Sequence, residues 1–302
     1  MKIRRREFLI MAGVIGAGAV VSLYSRDIQR IFMQATQEER HVIWLQGASD
    51  SGCTMSLLQG VNPDLVDVIR DFRRSVDFHP TLMVPAGGVA QEILEHALAG
   101  IAQLDLLIVE GAVPEGTYCT VGERNGVSIP FEDWVKVLGS KAKRVVAVGT
   151  CAAFGGISAA NPNPTRSRSV GQVLSERNDI INIRGCPPHP DWITVTLADA
   201  LSGQVVRPGS LPWVGGTPHE QCKLREFYDR GRFARDFGEE PLLCLYELGC
   251  RGKEGDVIAD CIVRLWNNKV NVCQYAGAPC IGCVSPRFPD GMSPFYEKLQ
   301  GS

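Results

Sequence analysis

Seven cysteines crowd residues 222–283, at Cys222, Cys244, Cys250, Cys261, Cys273, Cys280 and Cys283, where regular apolar periods are few and Gly and Pro are many. Such a segment cannot bury enough apolar surface to offset the entropy of its own ordering. It needs inorganic cross-links or a partner surface to hold it. Only Cys280 and Cys283 form the tight C-x-x-C knuckle that zinc ribbons use in pairs. Long gaps with one close pair suit iron–sulfur cores, whose ligands come from several loops and whose irons favour soft thiolate donors. His219 stands three residues before Cys222, a mixed nitrogen and sulfur pair that is a candidate ligand set. The whole chain holds eleven cysteines, an odd number that disulfides cannot exhaust.

The first two-thirds of the 302-residue chain reads differently. "HVIWLQG" (41–47), "LDLLIVEGAV" (104–113), "RVVAVG" (144–149) and "DIINIRG" (179–185) are short apolar runs ending in Gly or a turn, the pattern of buried parallel strands. Between them lie helical patterns: a start at Asn62 and Pro63, then "VAQEILEHALAG" (89–100), "PFEDWVKVLG" (130–139) and "DWITVTLADALSG" (191–203). The expected fold is α/β, a doubly wound, flavodoxin-like parallel sheet with its functional loops at the carboxyl ends of the strands. Cys53, Cys151 and Cys186 each follow a strand, so three βα loops carry a thiol to the same sheet edge. Glu110 ends a strand too and reads as a satisfied loop carboxylate. A net charge of −2 and the absence of a basic helical stripe give no case for nucleic acid.

Residues 1–26 read as a targeting segment. Arg5 and Arg6 precede Phe8 and Leu9 and a Gly/Ala-rich apolar run, similar to a twin-arginine export signal. That route carries folded proteins, so thiols behind it point to cofactors inserted before export. The run is short for a span of about 20 apolar residues. Whether it is cut or stays as an anchor is left open. No apolar helix follows Tyr296, so membrane association would rest on this segment or on a partner.

The segments "WLQGASDSGCTMSLL" (44–58), "EGAVP" (110–114), "GTCAAFGG" (149–156), "RGCPPHP" (184–190), "HEQC" (219–222), "CLYELGCRG" (244–252), "CIVRLWN" (261–267) and "PCIGCVSPRFPDGMSPFY" (279–296) resemble the small, electron-transferring subunit of nickel–iron hydrogenases. The resemblance spans roughly residues 41 to 296. It implies three clusters: a proximal 4Fe-4S core on Asp50, Cys53, Cys151 and Cys186; a medial core on Cys261, Cys273, Cys280 and Cys283; and a distal 4Fe-4S core on His219, Cys222, Cys244 and Cys250. Many members carry proline where this chain has Cys273, which implies a medial 4Fe-4S core here, or 3Fe-4S if Cys273 is not a ligand. Asp50 stands where the family's first proximal cysteine usually falls, and aspartate serves there in some members. The two extra cysteines of one oxygen-tolerant subgroup fall at Gly52 and Gly156, so that proximal chemistry is expected to be absent. Cys119 matches no ligand position and reads as structural.

By the same resemblance the domains are a signal segment (1–26), a flavodoxin-like domain with the proximal cluster (27–208) and a loop-rich iron–sulfur domain (209–302) with the other two. The implied partners are a nickel–iron large subunit, which carries the catalytic metals, and a cytochrome b or c-type cytochrome as acceptor. The implied place is the periplasm or outer membrane face, and the implied direction is hydrogen uptake. Three rivals remain open: a quinone-reductase subunit of the respiratory type, which would carry one cluster; a hydrogen-sensing subunit, which would lack an export signal; and a structural zinc protein.

Overall fold

The computed structural model describes residues 40–60, 76–101, 103–201, 216–239, 241–267 and 269–298. The targeting segment and the helix expected from Asn62 lie outside the described residues. Five strands, β1 (Val42–Gln46), β2 (Val76–Phe78), β3 (Leu106–Glu110), β6 (Arg144–Val148) and β7 (Ile181–Ile183), form a parallel sheet in the order β2-β1-β3-β6-β7. A separate hairpin pairs β4 (Thr120–Arg124) with β5 (Val127–Pro130) across Asn125 and Gly126, both at positive φ.

Both faces of the sheet are covered, so β1, β3 and β6 are apolar at four of their five positions each. All five residues of β3 are buried, and each large side chain there contributes ~1.5–3 kcal/mol. On one face Ile43, Leu45, Leu107, Val109, Val145 and Ala147 pack against α2 (Gly87–Ala99) and α3 (Phe131–Lys141). Helix α3 shows why it forms: Phe131, Trp134, Val135 and Leu138 recur at helical spacing and are buried, Glu132 and Asp133 open it, and Lys141 closes it. Trp134 Nε1 donates to the Val121 carbonyl at 2.8 Å and fastens the hairpin to the helix.

The alternate strand residues, Trp44, Leu106, Ile108, Val146 and Val148 among them, face the other way. They meet α6 (Pro190–Leu201) and, in the same core, Val257, Val284, Phe288 and Met292 of the C-terminal segment. That segment has only short helices and turns, as its composition implies, and borrows the sheet's core. Between β1 and β3 the strand order reverses, and the crevice at such a switch point lies beyond the carboxyl ends of the strands. Asp50, Cys53 and Glu110 are placed there by connectivity alone.

Candidate cluster-binding sites

The first site starts from a buried carboxylate. Glu110, the last residue of β3, has no solvent exposure and accepts from donors on all sides. Its Oε1 receives Cys53 N at 3.0 Å, Thr54 N at 3.2 Å and Ser49 Oγ at 3.2 Å. Its Oε2 receives Trp44 Nε1 at 3.0 Å, Gln46 Nε2 at 3.0 Å and Thr54 Oγ1 at 2.5 Å. The two amide N–H groups belong to the first turn of α1 (Gly52–Leu58), where no intrahelical acceptor exists. Glu110 is therefore satisfied, as the sequence suggests, but it is the buried anchor of the Cys53 turn and not a solvated loop residue.

Cys151 arrives from a short helix, α4 (Gly149–Phe154), where the sequence suggests a loop. Cys186 sits in the turn after β7. Asp50, Cys53, Cys151 and Cys186 line one open pocket. Burial pushes the Cys186 thiol up to about 12, with Cys151, Cys283 and Asp50 adding to the rise. Cys53 is raised by burial first, then by Glu110, Cys186, Cys151 and Asp50. Cys151 is raised by burial and further by Asp50, against the lowering effect of the Ile157 and Ser158 amides. All three thiols feel Asp50, so the four sequence-expected residues share one site. The glycines around them leave no room for more: a Cβ on Gly149 would lie 2.5 Å from Cys53 Sγ, and one on Gly156 would lie 2.7 Å from Cys151 Sγ. On Gly52 it would lie 2.7 Å from Asp50 Oδ1.

The second site gathers Cys261, Cys273, Cys280 and Cys283. Burial raises Cys261 to about 12, and Cys283 and Cys273 raise it further. Cys280 lies well above the usual thiol range through burial, Cys250, Cys283 and Cys261. Cys283 reaches about 11, mainly by burial, with Cys273 contributing. Cys273 keeps an exposed edge, yet burial of its thiol raises it like the others.

The third site is a pocket lined by His219, Cys222, Cys244 and Cys250. His219 belongs to the single turn α7 (Pro218–Gln221), opened by a Thr217–Glu220 capping box. Its ring meets Tyr228 edge-on at 4.5 Å. Burial lowers its pKa, with Lys253 and Arg225 adding to the effect, which keeps the imidazole a neutral donor. Cys244 rises to about 11 by burial, with Cys250 and Cys222 adding to it.

The sites are spliced in series. Thr150 Oγ1 donates to the Cys283 carbonyl at 2.6 Å and accepts from Gly185 N at 3.0 Å, tying the Cys151, Cys186 and Cys283 turns together. The Cys186 amide stabilises the Cys283 thiolate. At the other junction Arg251 N donates to the Cys280 carbonyl at 2.7 Å, and the Cys280 amide stabilises the Cys250 thiolate. Ten cysteines are thus gathered in three neighbouring sets. The eleventh, Cys119, is half-buried against the α2–α3 core, and burial alone raises its thiol. Among the described residues no three His, Cys, Asp or Glu side chains are grouped as one metal ion would need. Thiols converge in sets without single-ion spacing, and at the first site glycines leave the space that Cys53 and Cys151 sulfur occupy. Sets of three or four soft donors drawn from several loops suit multi-iron cores.

Two family models match the chain. Residues 51–200 match the NADH ubiquinone oxidoreductase 20 kDa subunit, and residues 215–296 match the C-terminal part of the NiFe/NiFeSe hydrogenase small subunit. The chain is 38% identical to the periplasmic [NiFeSe] hydrogenase small subunit of Desulfomicrobium baculatum, over 98% of this chain and 99% of that one. It is 32% identical to the quinone-reactive Ni/Fe-hydrogenase small chain of Wolinella succinogenes, over 98% of this chain and 84% of the other. Among solved structures, the reduced, active Ni-Fe-Se hydrogenase of Desulfomicrobium baculatum superposes with a TM-score of 0.76 at 38% identity, covering 87% of this chain and all of that one.

Proposed function

Because the chain belongs to the small subunits of nickel–iron hydrogenases, we propose that it holds three iron–sulfur clusters in series between a large-subunit partner and an outside electron acceptor. The observation that carries this reading is the pair of splices, Thr150 to Cys283 and Arg251 to Cys280, which join three thiol sets into one row. A bound iron–sulfur cluster supplies a one-electron centre whose potential the surrounding protein sets. The chain's own residues do the rest. Asp50, Cys53, Cys151 and Cys186 would hold the proximal core, Cys261, Cys273, Cys280 and Cys283 the medial one, and His219, Cys222, Cys244 and Cys250 the distal one. With four thiols in the medial set, a 4Fe-4S core is expected there. The division at residues 208 and 209 belongs to this reading: residues 27–208 carry the proximal set and residues 209–302 the other two.

The open mouth of the Asp50 pocket gives the large subunit, which would hold the nickel–iron site, access to the proximal end. The half-exposed His219 marks the end where a cytochrome b or c-type cytochrome would dock. Three relatives are named periplasmic, and with Arg5 and Arg6 this favours export by the twin-arginine route and hydrogen uptake at the outer face. No helix among the described residues is long and apolar enough to cross a membrane.

Isolation of the native complex tests the reading. Iron and acid-labile sulfide should stay with this chain, nickel with the partner, and hydrogen should reduce an added dye. Zinc without sulfide would end the proposal. For Asp50 the test is narrower: Asp50→Cys should shift the potential of the proximal centre, and an unchanged spectrum and potential would count against ligation.

A further inference from the structure

Gln274 is a buried amide without a use in the bare fold. It is 3% exposed, and its Oε1 has no hydrogen-bond partner among the described residues. Leaving such a group unpaired costs stability. Yet it lines the pocket of His219, Cys222, Cys244 and Cys250, where the other lining residues with polar side chains are the cationic Arg225 and Lys253 and the phenol Tyr246. Its neighbour in the same turn, Cys273, belongs to the medial set, so this one turn (Cys273–Ala276) serves two sites at once.

The three thiols of the pocket already have main-chain donors. Leu224 N donates to Cys222 Sγ at 3.4 Å, the Tyr246 amide stabilises the Cys244 thiolate, and the Gly252 amide stabilises that of Cys250. A carboxamide has an acceptor end and an end with two donors, and half a turn about its last bond exchanges them. Against the anionic sulfur of a bound cluster, the donor end would be favoured and the oxygen end repelled. Resting on the distal cluster proposed above, we infer that the Gln274 carboxamide donates to inorganic sulfur of that cluster and holds its reduction potential up. A donor to sulfur favours the reduced core, which carries more negative charge, so losing it makes the potential more negative.

The test uses the native complex and the Gln274→Leu variant, which keeps the bulk and removes the amide. Potentiometric EPR should show the distal midpoint moved to a more negative value, with the medial midpoint unmoved and iron and sulfide content equal to wild type. A distal midpoint equal to wild type would overturn the inference while leaving the cluster assignment intact; absence of a distal iron centre from the wild-type complex would instead overturn the assignment beneath it. If Gln274→Leu does not assemble, wild-type complex labelled with 15N in the glutamine side-chain amide decides. Hyperfine coupling of that nitrogen to the reduced distal centre, lost in Gln274→Met, supports the inference, and no coupling overturns it.

Discussion

At the scale of single residues, the chemistry depends on side chains that hold ligands as much as on the ligands themselves. Glu110 accepts from six groups, three at each oxygen. Glu110→Gln would turn an NH2 group toward donors at one end or the other. At about 1–3 kcal/mol for each buried donor left unpaired, the variant should lose about 3 kcal/mol. Its thermal midpoint should fall, and the proximal EPR signal should disappear at lower temperature than the medial one. His79 gives a prediction with a defined pH window. It is 2% exposed beside Trp44, and burial lowers its pKa to about 4, against the opposing effect of Glu110. The unfolded ring binds a proton near 6.5, so between pH 6.5 and about 4 the unfolded chain holds the extra proton. Stability from this group is complete above 6.5 and declines as pH falls toward 4, by about 3 kcal/mol in all. Comparing thermal midpoints of wild type and His79→Gln at pH 7 and pH 4.5 should show a smaller acid loss in the variant. The sequence marks Glu110 as a strand-end carboxylate but not as buried, and it does not mark His79 at all. A carboxylate at a strand end and one histidine in "DFHPTL" have no spacing that announces burial, and Gln274 next to Cys273 has none either.

At the scale of elements, what was legible in the sequence followed periodicity. Strands β1, β3, β6 and β7 and helices α2, α3 and α6 stand where apolar runs and 3.6-residue spacing place them, because two-sided burial leaves so clear a record. Strand β2 has three residues, of which only Phe78 is buried, too short a record to read. The β4–β5 hairpin was readable from Asn125-Gly126, a strong turn signal, but its strands are mostly exposed and carry no apolar alternation. Helix α4 hid behind the glycines of "GTCAAFGG", which suggest a loop. Those glycines serve space and backbone angle instead. Gly149 has φ of +88°, and its missing Cβ is what Cys53 Sγ occupies. Gly149→Ala should therefore remove one cluster's iron from the purified complex and abolish the proximal signal. Gly231→Ala is the control: φ is +66° but nothing lies within 4 Å of its Cβ. It should cost about 1–2 kcal/mol of backbone strain and leave iron content unchanged.

At the scale of the whole molecule, the two halves depend on different forces. The sheet is held by apolar burial on both faces, and those contacts exist without metal. Among the described residues from 216 to 298 the α-helices have only four or five residues, and the thiol sets stand among aromatic contacts and ion pairs, with the sheet's core reached through Val257, Val284, Phe288 and Met292. The raised thiols state the consequence. Cys186 and Cys261 near 12, and Cys244 and Cys283 near 11, are protonated and neutral at pH 7 when no metal is bound. Cluster ligands are thiolates, so loading must expel these protons, and acid opposes it. Metal binding is then also folding energy for the segment that the thiols gather. Chelator treatment under reducing conditions should leave the sheet and the helices packed on it resistant to limited proteolysis while sites in the C-terminal segment become cleavable. The chelator needed for half-maximal cleavage should fall as pH drops from 8 to 6, because each displaced iron is replaced by protons that the buried thiols hold tightly. Equal resistance of both halves after iron removal would show that apolar packing alone holds the C-terminal segment, and the cysteines would then be passengers in the fold and not its fasteners.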